Sequence, residues 1–233
     1  MTGGRGGGRM GTEITTADSS NSARAEILRR IRVAKGGTSD GTAASAAWSG
    51  VAREYGREAS LEREGVLELL EDRLRDYDAH VVRVGSGDVA NAVAKILAAR
   101  GKRRIVVPAG LTAGWLPDGI QFVVDDGMSS TALDDFDGAM TGSTVAIALT
   151  GTIILQNVAG QGRRAVTLVP DYHLCVVDAV DVVETVPQAI KGLGGTAELA
   201  TTFFSGPSAT ADIEMTRIKG VHGPRHLDVI LIV

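Results

Sequence analysis

Cysteine is almost missing from this sequence. Cys175 is the only one in 233 residues, so the chain forms no internal disulfide, and alone it cannot furnish the thiolates of an iron–sulfur cluster or a cysteine-rich zinc site. Aromatic residues amount to 4%, too few for a base-stacking surface that would hold single-stranded nucleic acid. An excess of positive charge is also lacking: the formal net charge is −4, without the electrostatic footprint of a dedicated DNA binder. No stretch approaches the roughly 20 consecutive apolar residues that a membrane helix needs. The opening MTGGRGGGRMG carries two arginines with no apolar segment behind them, unlike a secretory signal. These absences lead us to expect a cytoplasmic chain with no membrane span and no nucleic-acid partner.

What is present suits a globular domain. Apolar residues make up 44% and charged residues 22%, enough for a full core. Glycine is abundant, 30 residues or about 13% against a usual share of roughly 7%. Charge is uneven. Residues 1 to 35 hold seven basic and three acidic side chains, a net +4 that leaves −8 for the remainder.

Organisation follows composition. Residues 1–20 are rich in Gly, Ser and Thr and bury too little to offset ordering, so a disordered tail is expected. Residues 21–59 read as an N-terminal helix and arm. Asn21 or Ser22 caps a helix bearing Ile27, Leu28 and Ile31 on one face, Gly36-Gly37 ends it, and Trp48, Val51 and Tyr55 are the later anchors. The main domain spans 60–233. Leu61 to Tyr77 has helical spacing, as does the segment from Asp88 to Arg100, while Ala79 to Val84, Ile105 to Val107 and Gln121 to Val124 read as strands. Asp134 to Met140 reads as a helical turn. Short strands are then expected at Val145 to Leu149, Thr152 to Leu155, Ala165 to Val169, Leu174 to Val177 and Val180 to Glu184, with Thr202 to Phe204 following. A helix from Ala209 to Ile218 and a buried strand from Leu227 to Val233 close the chain. The expected fold is α/β, with a mixed, mainly parallel sheet flanked by helices.

Chemistry concentrates at glycine-centred segments. Thr150-Gly151-Thr152 joins two apolar strands, either as a plain hairpin turn or as a ligand loop with hydroxyl donors. In SGPSATADIE, Ser205 to Glu214, a strand runs into what reads as a helix start. Ser205, Gly206, Ser208 and Thr210 there suit a phosphate or carboxylate, although helix capping by Ser208 or Thr210 explains the same residues. His222 and His226 are four apart, but Gly223-Pro224 between them breaks the helix that a metal pair would need, so no metal site is expected. His222 reads as a structural hydrogen-bonder or a proton carrier. Gly160 to Arg164 reads as an anion-attracting loop, with Arg163 the candidate ligand. His173 and Cys175 share a strand face, but no third partner supports a nucleophile there. Gly85-Ser86-Gly87 lacks the rest of a dinucleotide fingerprint.

Four blocks together, TGTIIL at Thr150 to Leu155, GRRAVTLVPDYHLCVV at Gly162 to Val177, SGPSATADIE at Ser205 to Glu214 and GVHGPRHLDVILIV at Gly220 to Val233, resemble the LUD-domain family, and VAREYGR at Val51 to Arg57 looks like its pre-helix segment. The resemblance implies a fold like that of the ribose-phosphate isomerase, glucosamine-phosphate deaminase and CoA-transferase group. It also implies an accessory role in an iron–sulfur system oxidising L-lactate to pyruvate. On that reading two separate partner subunits carry the clusters, while this chain binds no cofactor and at most a small anionic ligand. Leu149 stands where family members often have an acidic residue, so a carboxylate general base is missing at that position. The alternative reading, ranked second, is a stand-alone enzyme or a binding module for a phosphorylated, CoA-linked or carboxylate metabolite.

Overall fold

The computed structural model describes residues 16–36, 41–56, 59–211, 217–219 and 223–233. The chain divides into two units, Met1–Glu54 and Tyr55–Val233. In the first, α1 (Thr16–Ala34) begins several residues before the expected cap at Asn21 or Ser22, and α2 is Gly41–Ser49. Trp48 is 71% exposed, with the Arg53 guanidinium over its ring.

The second unit opens with α3 (Arg63–Asp76), β1 (His80–Val84), α4 (Val89–Ala99), β2 (Arg104–Val107) and β3 (Gln121–Val124). It continues through α5 (Ser130–Asp134), β4 (Gly138–Thr141), β5 (Val145–Ile147), β6 (Thr152–Gln156), α6 (Arg164–Leu168), β7 (Tyr172–Asp178) and β8 (Val182–Val183). It ends with α7 (Val186–Gly192), β9 (Thr201–Phe204), β10 (Ala209–Ala211), β11 (Arg217–Lys219) and β12 (His226–Ile232). Three expectations fail. Asp134 to Met140 divides between the end of α5, capped by the Ser129 hydroxyl, and strand β4. Ala165 to Val169 is helix α6 rather than a strand, because a short apolar run is ambiguous by periodicity and Val166 packs with Leu133, Phe136 and Ala139. Of the helix expected from Ala209 to Ile218, residues 212–216 lie outside the described residues, and the described ends are strands, β10 and β11, paired antiparallel with Thr210 opposite Ile218 in register.

Six strands form one parallel sheet in the order β1-β12-β7-β4-β2-β3. A separate sheet, β8-β5-β6-β9, is antiparallel at β5–β6 and β6–β9 and parallel at β5–β8. The α/β class expected from the sequence is therefore the observed one. Alternation along β7 and β12 loads both faces of the large sheet. Cys175, Val177, Leu227, Val229 and Leu231 join Leu67, Leu70 and Leu74 of α3 and the inner face of the smaller sheet. Leu174, Val176, Ile230 and Ile232 join Val93 and Leu97 of α4. Helix α7 covers the outer face of the smaller sheet, against Ile147 and Ile154. Burial on both faces is why these central strands read as nearly continuous apolar runs.

One charge interrupts β12. Asp228 is wholly buried and accepts Arg100 through Nε at 3.0 Å and Nη2 at 2.7 Å, with the Tyr172 hydroxyl donating at 2.8 Å. Burial pushes the Tyr172 phenol pKa up and keeps it protonated. Removing one partner of a buried ionic cluster strands the others. Asp228→Ala is therefore expected to lower stability by about 3–5 kcal/mol, and Tyr172→Phe by about 1 kcal/mol. Urea unfolding midpoints at unchanged slope check both.

Candidate functional site

Strand β9 leaves the smaller sheet at Phe204 and turns through Ser205-Gly206-Pro207-Ser208. Gly206 has φ 78°, and a Cβ there would collide with the Tyr77 side chain and lie 2.9 Å from its carbonyl oxygen. Only glycine lets this turn lie so close to the end of α3. The Ser208 amide donates to the Pro224 carbonyl at 2.7 Å, which draws Gly223-Pro224 alongside. Arg225 then pins that turn to the start of β7, with Nε and Nη2 on the Asp171 carboxylate at 2.6 and 2.8 Å, holding the carboxyl pKa below its ordinary value.

These turns enclose a cavity of about 310 Å3, completed by Arg164 and Thr167 of α6, by His173, and by Phe204 and Leu227. His173 is buried with its Nε2 2.8 Å from Thr141 Oγ1 and its ring tilted against Phe204. Burial, and secondarily the charge of Arg164, brings its pKa down to about 3. The imidazole is neutral at physiological pH, a hydrogen-bonding group rather than a cation. Cys175 lies behind it, and burial pushes its thiol up to about 12. Burial thus favours the neutral thiol at Cys175, whereas the thiolate is the reactive form of a Cys–His nucleophile.

Arg164 is exposed and, among the described residues, its guanidinium makes no ion pair or hydrogen bond. No carboxylate is among the described residues of the wall. One uncommitted guanidinium, serine hydroxyls and a neutral imidazole suit a small carboxylate, which takes charge-assisted hydrogen bonds from arginine.

The sequence candidates divide. Ser205, Gly206 and Ser208 line the cavity. Thr150, Gly151 and Thr152 do not: they form the β5–β6 turn, with Gly151 at φ 58° against the Arg73 backbone. A hydroxyl relay nevertheless connects them, Thr150 Oγ1 to Thr152 Oγ1 at 2.8 Å and Thr152 Oγ1 to Ser205 Oγ at 2.8 Å. The Thr210 backbone lies in strand β10 rather than in the helix start expected there. His222 lies outside the described residues, as do Asp212 and Glu214. Arg163 points elsewhere, donating to Asp125 at 2.7 and 2.8 Å and to the Met128 carbonyl at 2.6 Å. Its neighbour Arg164 is the arginine at the cavity. The GQGRR run flagged a basic loop but could not say which arginine is committed. Phe204 and Thr167 carried no signal beyond apolar or β-branched character.

The Arg163–Asp125 pair generates a pH signature. Arg163, with the Gly127 and Met128 amides, holds the Asp125 pKa below its ordinary value. Its stabilisation is complete above the unfolded-state value of about 3.9 and is lost as pH falls through the lower folded-state value. Arg163→Ala should therefore be less stable than the parent at neutral pH, with the electrostatic part of that deficit shrinking below about pH 4. Urea midpoints measured from pH 7 down to acid check this.

Comparison with known proteins gives consistent matches. The family model for the LUD domain matches residues 9–232. Lactate utilization protein C of Deinococcus radiodurans is 43% identical over 177 residues, covering 75% of this chain and 82% of that protein. Lactate utilization protein C of Shouchella clausii is 39% identical over 93 residues, 38% of this chain and 40% of that one. The crystal structure of a DUF162 family protein from Deinococcus radiodurans superposes with a TM-score of 0.65 at 37% identity, over 74% of this chain and 99% of its own. With nearly the whole sequence matched, the chain belongs to the LUD domain family.

Proposed function

We propose that this chain serves lactate utilisation as an accessory, non-redox subunit of a cytoplasmic iron–sulfur system that oxidises L-lactate to pyruvate. Two partner subunits carry the clusters, and this chain holds the small carboxylate. The names of its relatives support the metabolic setting. The single observation carrying the site is Arg164, whose guanidinium has no ion-pair partner among the described residues and which lines a cavity with Ser205, Ser208 and His173.

The division of labour follows from the side chains. Oxidising a 2-hydroxy acid to a 2-oxo acid removes two electrons and two protons. The only cysteine is buried and protonated, so this chain supplies no thiolate set for a cluster, and the electrons pass to groups on the partners. Its own residues bind and orient. Arg164 pairs with the carboxylate, and the hydroxyls of Ser205 and Ser208 serve the polar end. The neutral His173 adds a hydrogen bond without charge. Among the described residues no helix is long and apolar enough to cross a membrane.

Calorimetric titration of the purified chain with L-lactate and pyruvate tests the site. Binding near about 1 mM is expected, with Arg164→Ala about tenfold weaker; equal affinity in the variant removes the site. Cells lacking the gene are expected to fail on L-lactate as sole carbon source, and normal growth would sink the functional reading.

A further inference from the structure

His173 reaches the carboxylate cavity with one ring nitrogen committed and the other open. The residue is only 3% exposed, and its Nε2 lies 2.8 Å from the hydroxyl of Thr141, which is wholly buried at the end of β4. Its Nδ1 makes no hydrogen bond among the described residues. Nor is Nδ1 sealed in the interior, because among the described residues the one side-chain polar atom both sealed and unpartnered is Ser143 Oγ. Nδ1 is therefore the nitrogen that His173 shows to the cavity it lines. A polar atom on so deeply buried a side chain needs a partner, and the cavity is where one can come from.

The bonds behind the ring decide what that nitrogen carries. A neutral imidazole has one N–H and one lone pair. The buried Thr141 hydroxyl has two acceptors in reach for its single proton, His173 Nε2 at 2.8 Å and Cys175 Sγ at 3.8 Å. The Cys175 thiol in turn donates to the Gly142 carbonyl at 3.7 Å. With the ring proton on Nε2, the bonds run in one direction, from His173 to Thr141, to Cys175 and to Gly142. Each of the three protons then has an acceptor. With the ring proton on Nδ1, the Thr141 proton turns to Nε2, the sulfur loses its donor, and an N–H faces the cavity alone. The positive charge of Arg164, which bears on this ring, also favours a lone pair over an N–H on the side that both share.

We propose that the Nδ1 lone pair of His173 accepts a hydrogen bond from the 2-hydroxyl of the bound acid, so that the cavity selects 2-hydroxy acids over 2-oxo acids. The selection rests on the carboxylate site proposed around Arg164 and names its substrate class. An ionised carboxylate is an acceptor only, so the hydroxyl is the one donor that a 2-hydroxy acid brings. A 2-oxo acid presents a carbonyl in the same place, lone pair against lone pair, and a buried acceptor left unmatched costs affinity. With its pKa brought down to about 3, the ring accepts the hydrogen bond without taking the proton. Thr141 and Cys175 touch no ligand. They are positioning residues that hold the imidazole in the tautomer the hydroxyl requires. The product of the proposed oxidation is thereby held less firmly than its substrate.

L-Lactate, pyruvate and propionate, titrated into the purified chain by calorimetry at neutral pH, test the selection on the unmodified protein. L-Lactate should bind about fivefold more tightly than either analogue. Long-range proton–nitrogen NMR of the ligand-free chain should show His173 Nδ1 as a pyridine-type nitrogen and Nε2 as a pyrrole-type one. His173→Gln should bring L-lactate to the affinity of propionate while leaving propionate itself unchanged. Should that variant unfold, the ligand series and the spectrum decide without it. Equal affinity for L-lactate and pyruvate, with Arg164→Ala still weakening both, overturns this inference and leaves the carboxylate site standing. A protonated Nδ1 in the spectrum also overturns it. Failure of all three acids to bind removes the carboxylate site and this selection together.

Discussion

Burial of β7 and β12 on both faces is the constraint that organises the rest. A strand covered on both sides has no solvent for its polar side chains, so each must find an internal partner. His173 meets the Thr141 hydroxyl, and Asp228 meets Arg100 and Tyr172. Exposed polar side chains are thereby displaced to the strand ends, where the flanking turns and helices supply hydroxyls and charges. Cavities stand at opposite ends of β7 and differ in sign, an arginine at one and a pair of aspartates at the other.

The same constraint explains which parts of the fold were legible. Strands β2, β3, β7 and β12 are compact apolar runs, and the sequence pattern alone places them close to their observed bounds. Strand β4 was hidden because it opens on Gly138 and Ala139, residue types depleted in strands. The reason lies in packing: a Cβ on Gly138 would sit 2.5 Å from the Tyr172 ring, so the partner strand dictates a small residue there. Helix α6 was hidden for the converse reason, since its Ala-Val-Thr-Leu run suits a strand locally and only contact with Leu133 and Phe136 resolves it. The β10–β11 pair was obscured by a hydroxyl followed by acidic residues, a pattern that satisfies the local rules for a helix start. Strand pairing overrides that local signal.

At the site, glycine and serine positions were legible and charge allocation was not. Gly206 and Ser208 announce a tight turn by composition, and the turn lines the cavity. Arg163 and Arg164 are adjacent and chemically alike. Which is consumed by Asp125 and which, among the described residues, has no side-chain partner depends on how the start of α6 lies against the segment after β3, a relation more than thirty residues long. Separation in sequence, more than residue type, limited the reading.

The position of β12 bears on how the chain acquires its structure. Its hydrogen-bonding partners include β1, about 150 residues earlier. During synthesis β1 and β7 therefore wait with apolar edges unmatched while the intervening chain is made. Closure over so long a loop is slow, and exposed edges of this kind recruit other chains. Yield in a heterologous host should accordingly depend on chaperone capacity and growth temperature more than on the thermodynamic stability of the finished molecule.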